Sequence, residues 1–351
     1  MNILQGWMMK KAILVGAFIS LAVVVVSSSS AAQQQEEIVS RRFLLKEEGL
    51  VSLDNSRGDV RIQSWEKNYI EVMATKVVEG SNQKRMKKAL EKIKVEFVAT
   101  EGNLDIKTDL GESRFKTFFL FDKVWNFFST TQRRVDYQLW VPSRVNVLAE
   151  TTSGNFFIKG IRGDVKTKGV SGRTEFSSIQ GNVEAETISG EIKLVEVEGD
   201  VNLSSLSGDL SLNQVKGNIF ATSTSGKLQM SSVEGIIRGY TTSGKIVMRK
   251  IRGVVELLET TSGDIQAELL EVADDWLGMI FDSVSGDIEV SLPRDLGANL
   301  GIKTVSGRIS CDFTILTRGE FEAGALGGPI NGGGPFVEIE TTNGDIFLRP
   351  I

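Results

Sequence analysis

Histidine is absent from all 351 residues. Its absence removes the usual general base, the usual zinc ligand and any histidine-dependent triad. Cysteine occurs once, at Cys311. That excludes an intramolecular disulfide and a thiolate metal cluster, while leaving export open, because exported proteins do not require disulfides. Proline is scarce, at 5 residues against 36 glycines. A chain built this way has many tight turns and few forced breaks. Charge of one sign is lacking too. The net is −5, with acids and bases interspersed, and nothing resembles the basic footprint of a nucleic-acid binder.

The longest apolar run is Ala12 to Val26, interrupted only by Gly16 and Ser20. Lys10 and Lys11 precede it, and Ser27-Ser28-Ser29-Ser30-Ala31-Ala32 follows. A short positive region, an apolar core and then small residues describe a secretory signal over residues 1–32. An uncleaved anchor is the alternative, but the run is short for a span of about 20 residues. No cysteine follows it, so it is not a lipoprotein signal. Removing Lys10 and Lys11 from the 40 basic residues leaves 38 against 45 acids from Gln33 onward. The expected destination is the periplasm or the cell surface.

The main message is a repeat. Ser-Gly pairs fall at 153–154, 171–172, 189–190, 207–208, 225–226 and 243–244, each 18 residues after the last. Further pairs stand at 262–263, 285–286 and 306–307, after gaps of 19, 23 and 21. Gly163, Gly181, Gly199, Gly217, Gly235 and Gly253 lie midway. The unit is therefore two similar nonapeptides. Counting from each glycine, apolar residues fall at plus two, plus four and plus seven, as in Ile192, Leu194 and Val197 or Val201, Leu203 and Leu206. Plus two and plus four give the alternation of a short strand with one buried face. Plus seven is expected to turn inward again after a bend. Glycine every nine residues would weaken a helix, but it suits a corner.

These features predict an all-β fold, a parallel β-solenoid flattened into a roll of 18-residue coils. One coil cannot stand alone, and only stacking supplies the ladder bonds and shared contacts. The plus-four column reads Ile158, Phe176, Leu194, Leu212, Met230, Met248, and the column facing it reads Thr167, Ala185, Leu203, Ala221, Gly239, Leu257. Large set against small keeps the layer even and leaves no channel for a ligand. Residues 33–143 are expected to form an N-terminal β-rich capping segment with one short helix, Ser81 to Ile93, with Ser81 as N-cap. Residues 144–351 carry the solenoid, with a Gly-rich excursion at 318–335, and the strands near 336–341 and 345–349 are expected to close the stack.

The units Glu150-Thr151-Thr152-Ser153-Gly154-Asn155, Glu186-Thr187-Ile188-Ser189-Gly190-Glu191 and Thr341-Thr342-Asn343-Gly344-Asp345-Ile346 resemble a bacterial adhesin-type domain of unknown function with β-strand repeats. Val51 to Ile62 followed by Trp65 is similar to that family's opening, and Tyr137 to Pro142 to its lead-in to the repeats. The resemblance covers roughly residues 38 to 351. It implies an envelope or surface role, and it brings no catalytic residues with it.

Candidate sites are few. The residues after Ser-Gly (Asn155, Arg173, Glu191, Asp209, Lys227, Lys245, Asp264, Asp287, Arg308) mix signs and do not repeat the Gly-Gly-x-Gly-x-Asp of a calcium roll. They read as solvated corner charges that partly cancel between coils. Asp264 and Asp287 could meet across one coil step, the minimum a glycan-cleaving pair would need, but stacked surface acids are the commoner explanation. Cys311 falls at an inward position and reads as a small core residue. No catalytic, metal or cofactor site is expected. The insert at 110–132 is not demanded by repeat packing. Within it, Phe118, Phe121, Trp125 and Phe128 share one helical face. They suit either a cap on the roll or a contact with a partner or a membrane. The expected function is non-enzymatic: adhesion, or binding of an envelope protein, a glycan or a membrane surface. An end-to-end self-assembling subunit is the second reading and a glycan-active enzyme the third.

Overall fold

The computed structural model describes residues 33–111, 131–316 and 323–351. Among them are 26 strands and one helix. The repeat forms a flattened parallel roll with two walls. The first wall holds the strands that end in Ser-Gly, such as Val201–Ser207, and the second holds those that follow, such as Leu210–Lys216. Each strand pairs in parallel with its equivalent one coil on, so Val201 partners Ile219 and Leu210 partners Leu228.

The two walls turn inward differently. In the second wall Ser178, Glu196, Gln214, Ser232 and Lys250 have φ between 54° and 59°. This left-handed residue adds one step to the pleat. The next side chain therefore points inward, and Ile179, Val197, Val215, Val233 and Ile251 are buried. The first wall has no such residue. Its pleat continues, so the plus-six residue is buried and the plus-seven residue faces out. Val170, Ile188 and Leu206, expected inside, are 41%, 50% and 55% exposed.

The interior columns are filled as expected, with one correction. Ile237 partners Val255, but Arg238 partners Leu257 across a register shift. That bulge absorbs the extra residue of the 19-residue gap. Leu258, not Leu257, is therefore the buried residue. It lies over Gly239, where an added Cβ would come within 2.8 Å of Leu228 and 3.0 Å of Leu258.

The corners also explain the glycines. A Cβ on Gly208 would sit 2.0 Å from the carbonyl oxygen of Gly190, and one on Gly199, whose φ is 149°, 2.3 Å from that of Gly181. Stacked corners approach too closely for any side chain.

Both ends of the roll are stacked out of chain order. Gly49–Arg57 and Val60–Trp65 form a coil that pairs in parallel with Val145–Ser153 and Phe156–Lys159. Its other side is covered by Asn103–Asp109 and Gln132–Pro142. Coils therefore begin within the segment expected to be a cap, well before residue 144. Antiparallel strands follow: Tyr69–Gly80 on Gln132–Pro142, Gln33–Leu44 on Tyr69–Gly80, and Lys94–Ala99 on Asn103–Asp109. The helix runs Gln83–Leu90 and is capped by Asn82, whose side chain accepts from Arg85 N at 3.0 Å, rather than by Ser81. Met86, Leu90 and Ile93 are buried as the periodicity predicted. At the far end, Phe336–Asn343 and Ile346–Pro350 do not close the stack. They lie between Gly278–Ser285 with Ile288–Leu292 and Ala298–Ser306 with Ile309–Cys311. Ala325–Ile330 runs antiparallel to Ala298–Ser306 and covers the outer parallel edge of that wall.

Candidate binding surface

The recurrent Thr-x-Ser-Gly-Asp motif is explained from inside the corner. The Thr or Ser three residues before the glycine is buried, and at five corners its hydroxyl donates to the corner carbonyl of the neighbouring coil. Ser223 reaches Gly208 O at 3.3 Å, Ser283 reaches Gly263 O at 3.1 Å, and Thr341 reaches Gly286 O at 3.1 Å. In the same column Thr151, Ser205 and Thr241 carry buried hydroxyls with no partner among the described residues. Where it is Asn or Asp, the residue after the glycine accepts the backbone N–H of its equivalent in the neighbouring coil. Arg173 N donates to Asn155 Oδ1 at 2.8 Å and Lys227 N to Asp209 Oδ1 at 2.7 Å. The opposite corner has its own ladder, Asn146, Asp164, Asn182, Asp200, Asn218, at 2.9 to 3.2 Å per step. Amide and carboxylate alternate there, so no two charges are adjacent. These corner acids satisfy backbone donors that stacking would otherwise strand.

Asp264 and Asp287 are brought together as expected: Asp287 N donates to Asp264 Oδ1 at 3.2 Å, and Asp345 N to Asp287 Oδ1 at 2.8 Å. They are members of the corner ladder, ended by Lys245 beside Asp264 and Arg308 beside Asp345. Among the described residues no group of three or more acids or Cys has the arrangement of a metal site. Cys311 is half-buried, and burial pushes its thiol above the usual range. Phe118, Phe121, Trp125 and Phe128 lie outside the described residues.

Outward charges mostly cancel between coils. Lys166 meets Glu184 at 2.6 Å, Lys168 meets Glu186 at 3.3 Å, Arg238 meets Glu256 at 2.8 Å and Arg349 meets Glu289 at 2.7 Å. One column departs from this rule. Glu259, Asp282 and Glu340 stand in register on three adjacent strands of the first wall. None of the three forms an ion pair among the described residues. Burial, then the charges of Glu259 and Glu340, raise the Asp282 carboxyl above its ordinary range.

Beside that column is an apolar cradle. The 23-residue gap between Gly263 and Gly286 carries five residues beyond the repeat. The segment 272–277 spends them as a ledge on the corner. The Trp276 side chain is buried, its backbone N–H donates to Ala273 O at 3.3 Å, and Leu277 is 93% exposed. Leu277, Ile236, Ile280 and Phe336 line a concavity of about 920 Å³; Glu256, Asp275 and Glu338 are among its polar lining, and the base in that lining, Arg252, lies beside Glu271 at 3.8 Å. Ile280 and Glu338 are register partners two residues before Asp282 and Glu340, so cradle and acid column share one outer face. The uneven Ser-Gly spacing at 263–286 was the sequence signal for this place. The composition of the cradle was not legible, because its residues come from coils far apart in the chain.

The molecule is a parallel β-roll with a filled apolar interior and antiparallel strands at both ends. The Toastrack DUF4097 family model matches residues 50–349, and the chain belongs to that family. Two solved structures are similar to it: a provisionally assigned cell adhesion protein of Clostridium sporogenes and a provisionally assigned adhesin of Bacteroides fragilis. The first is 12% identical over 91% of this chain and 100% of that one, with a TM-score of 0.21. The second is 11% identical over 90% and 97%, with a TM-score of 0.31. Likeness at that level carries no weight beyond the family match. No curated protein matches the sequence.

Proposed function

We propose that the chain is an exported, non-enzymatic envelope protein that presents its roll as a rigid surface for adhesion, by binding a protein or a glycan. The observation that carries this reading is the filled interior. Ile158, Phe176, Leu194, Leu212, Met230 and Met248 are all buried in one column, so recognition is left to the outer walls. Antiparallel strands over the parallel edges argue against end-to-end growth. The test is capture from the native envelope by the full chain, together with a glycan panel read for both binding and cleavage. Capture, or glycan binding without turnover, supports the reading, and cleavage of a panel member overturns it.

The aromatic insert is the second contact in this proposal, through Phe118, Phe121, Trp125 and Phe128. Deleting residues 112–130 should leave melting unchanged and abolish envelope association. A lowered melting point would assign the insert to capping instead.

A further inference from the structure

We infer that the cradle formed by Ile236, Leu277, Ile280 and Phe336 docks a basic, amphipathic polypeptide segment of a partner protein. The inference rests on the proposed binding role and names the surface and the chemistry of what it takes.

Three observations converge on this place. The first is the insertion itself. Five residues beyond the repeat are spent on a ledge whose Trp276 is held inside and whose Leu277 is held out at 93% exposure. A ledge that only needed to close the coil would not hold a leucine fully out in water. The second is the apolar cluster it completes, with Phe336 at 64%, Ile236 at 44% and Ile280 at 39% exposure. Ile236 and Phe336 come from other coils than Leu277 and Ile280, and the four lie together in one concavity. Contiguous exposed apolar surface of this kind marks interaction sites.

The third observation selects the occupant. Elsewhere on the outer walls an acid is met by a base one coil away, as in Lys166 with Glu184 and Arg238 with Glu256. Next to the cradle, Glu259 and Asp282 have no base in register on either neighbouring strand, Glu340 stacks on Asp282, and Glu338 adds a fourth carboxylate to the cradle lining. Lys303, in register beyond Glu340, is the one base that ends the column. Like charges directly opposite on paired strands are destabilising. The repulsion is relieved when a partner brings Lys or Arg side chains to the column and apolar side chains to the cradle. An acidic or neutral partner would gain only the apolar half.

The test uses the full chain and three fluorescein-labelled peptides of equal length: alternating Lys/Leu, alternating Glu/Leu and alternating Lys/Ser. Anisotropy should show binding of the Lys/Leu peptide alone, weakening as salt rises. The double variant Leu277→Ser, Phe336→Ser should bind about tenfold or more weakly, a loss of about 1.4 kcal/mol. The double variant Asp282→Asn, Glu340→Gln should lose binding to a similar degree while melting no lower than wild type. That split separates a docking role from a structural one. Equal binding of the Lys/Leu and Glu/Leu peptides, no binding of either, or wild-type binding by both variants overturns the inference. So does a dimer in sedimentation that Leu277→Ser dissolves, which would give the cradle to a second copy. If envelope capture succeeds while these peptides fail, the binding role stands and the surface is elsewhere.

Discussion

Leu203 and Asn202 are neighbours in one strand with opposite fates. Leu203 is buried to 0% exposure and Asn202 faces solvent. Leu203→Asp places a carboxylate in the apolar interior at a cost of several kcal/mol. Asn202→Asp should change stability by less than about 0.5 kcal/mol. Thermal melts of the two variants check this, and equal melting points would mean the faces are misassigned. Glycine gives a second contrast. Gly208→Ala drives a methyl group into the Gly190 carbonyl, whereas Gly102→Ala meets nothing within 4 Å. The first should destabilise by about 1–3 kcal/mol and the second by a few tenths. Equal shifts would remove close stacking as the reason for the glycine column.

At the scale of the strand, the acid column makes stability depend on pH in a direction set by Asp282. Its carboxyl is raised in the folded protein, by burial first and by Glu259 and Glu340 second. The unfolded value is about 3.9. The folded state therefore takes up the proton more readily. The penalty is fully present above the folded value and is relieved as pH falls through it. Asp282→Asn should be the more stable protein at pH 7, and its advantage should shrink as acidification approaches the unfolded value. Urea unfolding of both proteins across that range tests it, and a constant difference would refute the assignment. Comparing the pair isolates this column from Glu184 and Asp345, whose carboxyls are held low by Lys166 and Arg308.

Strands are also where reading from sequence succeeded and where it stopped. The 18-residue period gave the coils, and alternation at plus two and plus four placed Ile192, Leu194, Val201 and Leu203 correctly inside. Plus seven failed in one wall only. Leu206 and Val197 occupy the same position in their nonapeptides, but the left-handed Glu196 precedes Val197 and no such residue precedes Leu206. Glu and Ser give no notice of a left-handed backbone. The buried Thr column was likewise hidden, because a Thr that donates to a carbonyl one coil away looks in sequence like a solvent-facing Thr. The register shift that brings Leu258 inward leaves only a one-residue change of spacing.

For the whole molecule, sequence order and stacking order agree through the middle and part at both ends. The coil of Phe336–Asn343 and Ile346–Pro350 is an interior layer that follows in sequence the layer lying outside it. Truncation after Pro335 should therefore cost more than one coil. It leaves Gly278–Ser285 and Ala298–Ser306 without their common neighbour. Limited proteolysis of the truncated chain should release the region from residue 293 onward, and a protease-resistant truncated roll would contradict this.

That arrangement also sets an order in time. A nascent chain appears N-terminus first, at about 5–20 residues per second. It can lay coil on coil as far as Leu292. Ala298–Cys311 must then wait beside the stack, because the layer that will lie beneath it has not been made. The roll is sealed only when Ile346–Pro350 arrives. Sealing of the roll is thus tied to synthesis through Pro350, and a product that stops before it carries an open seam that marks it as unfinished.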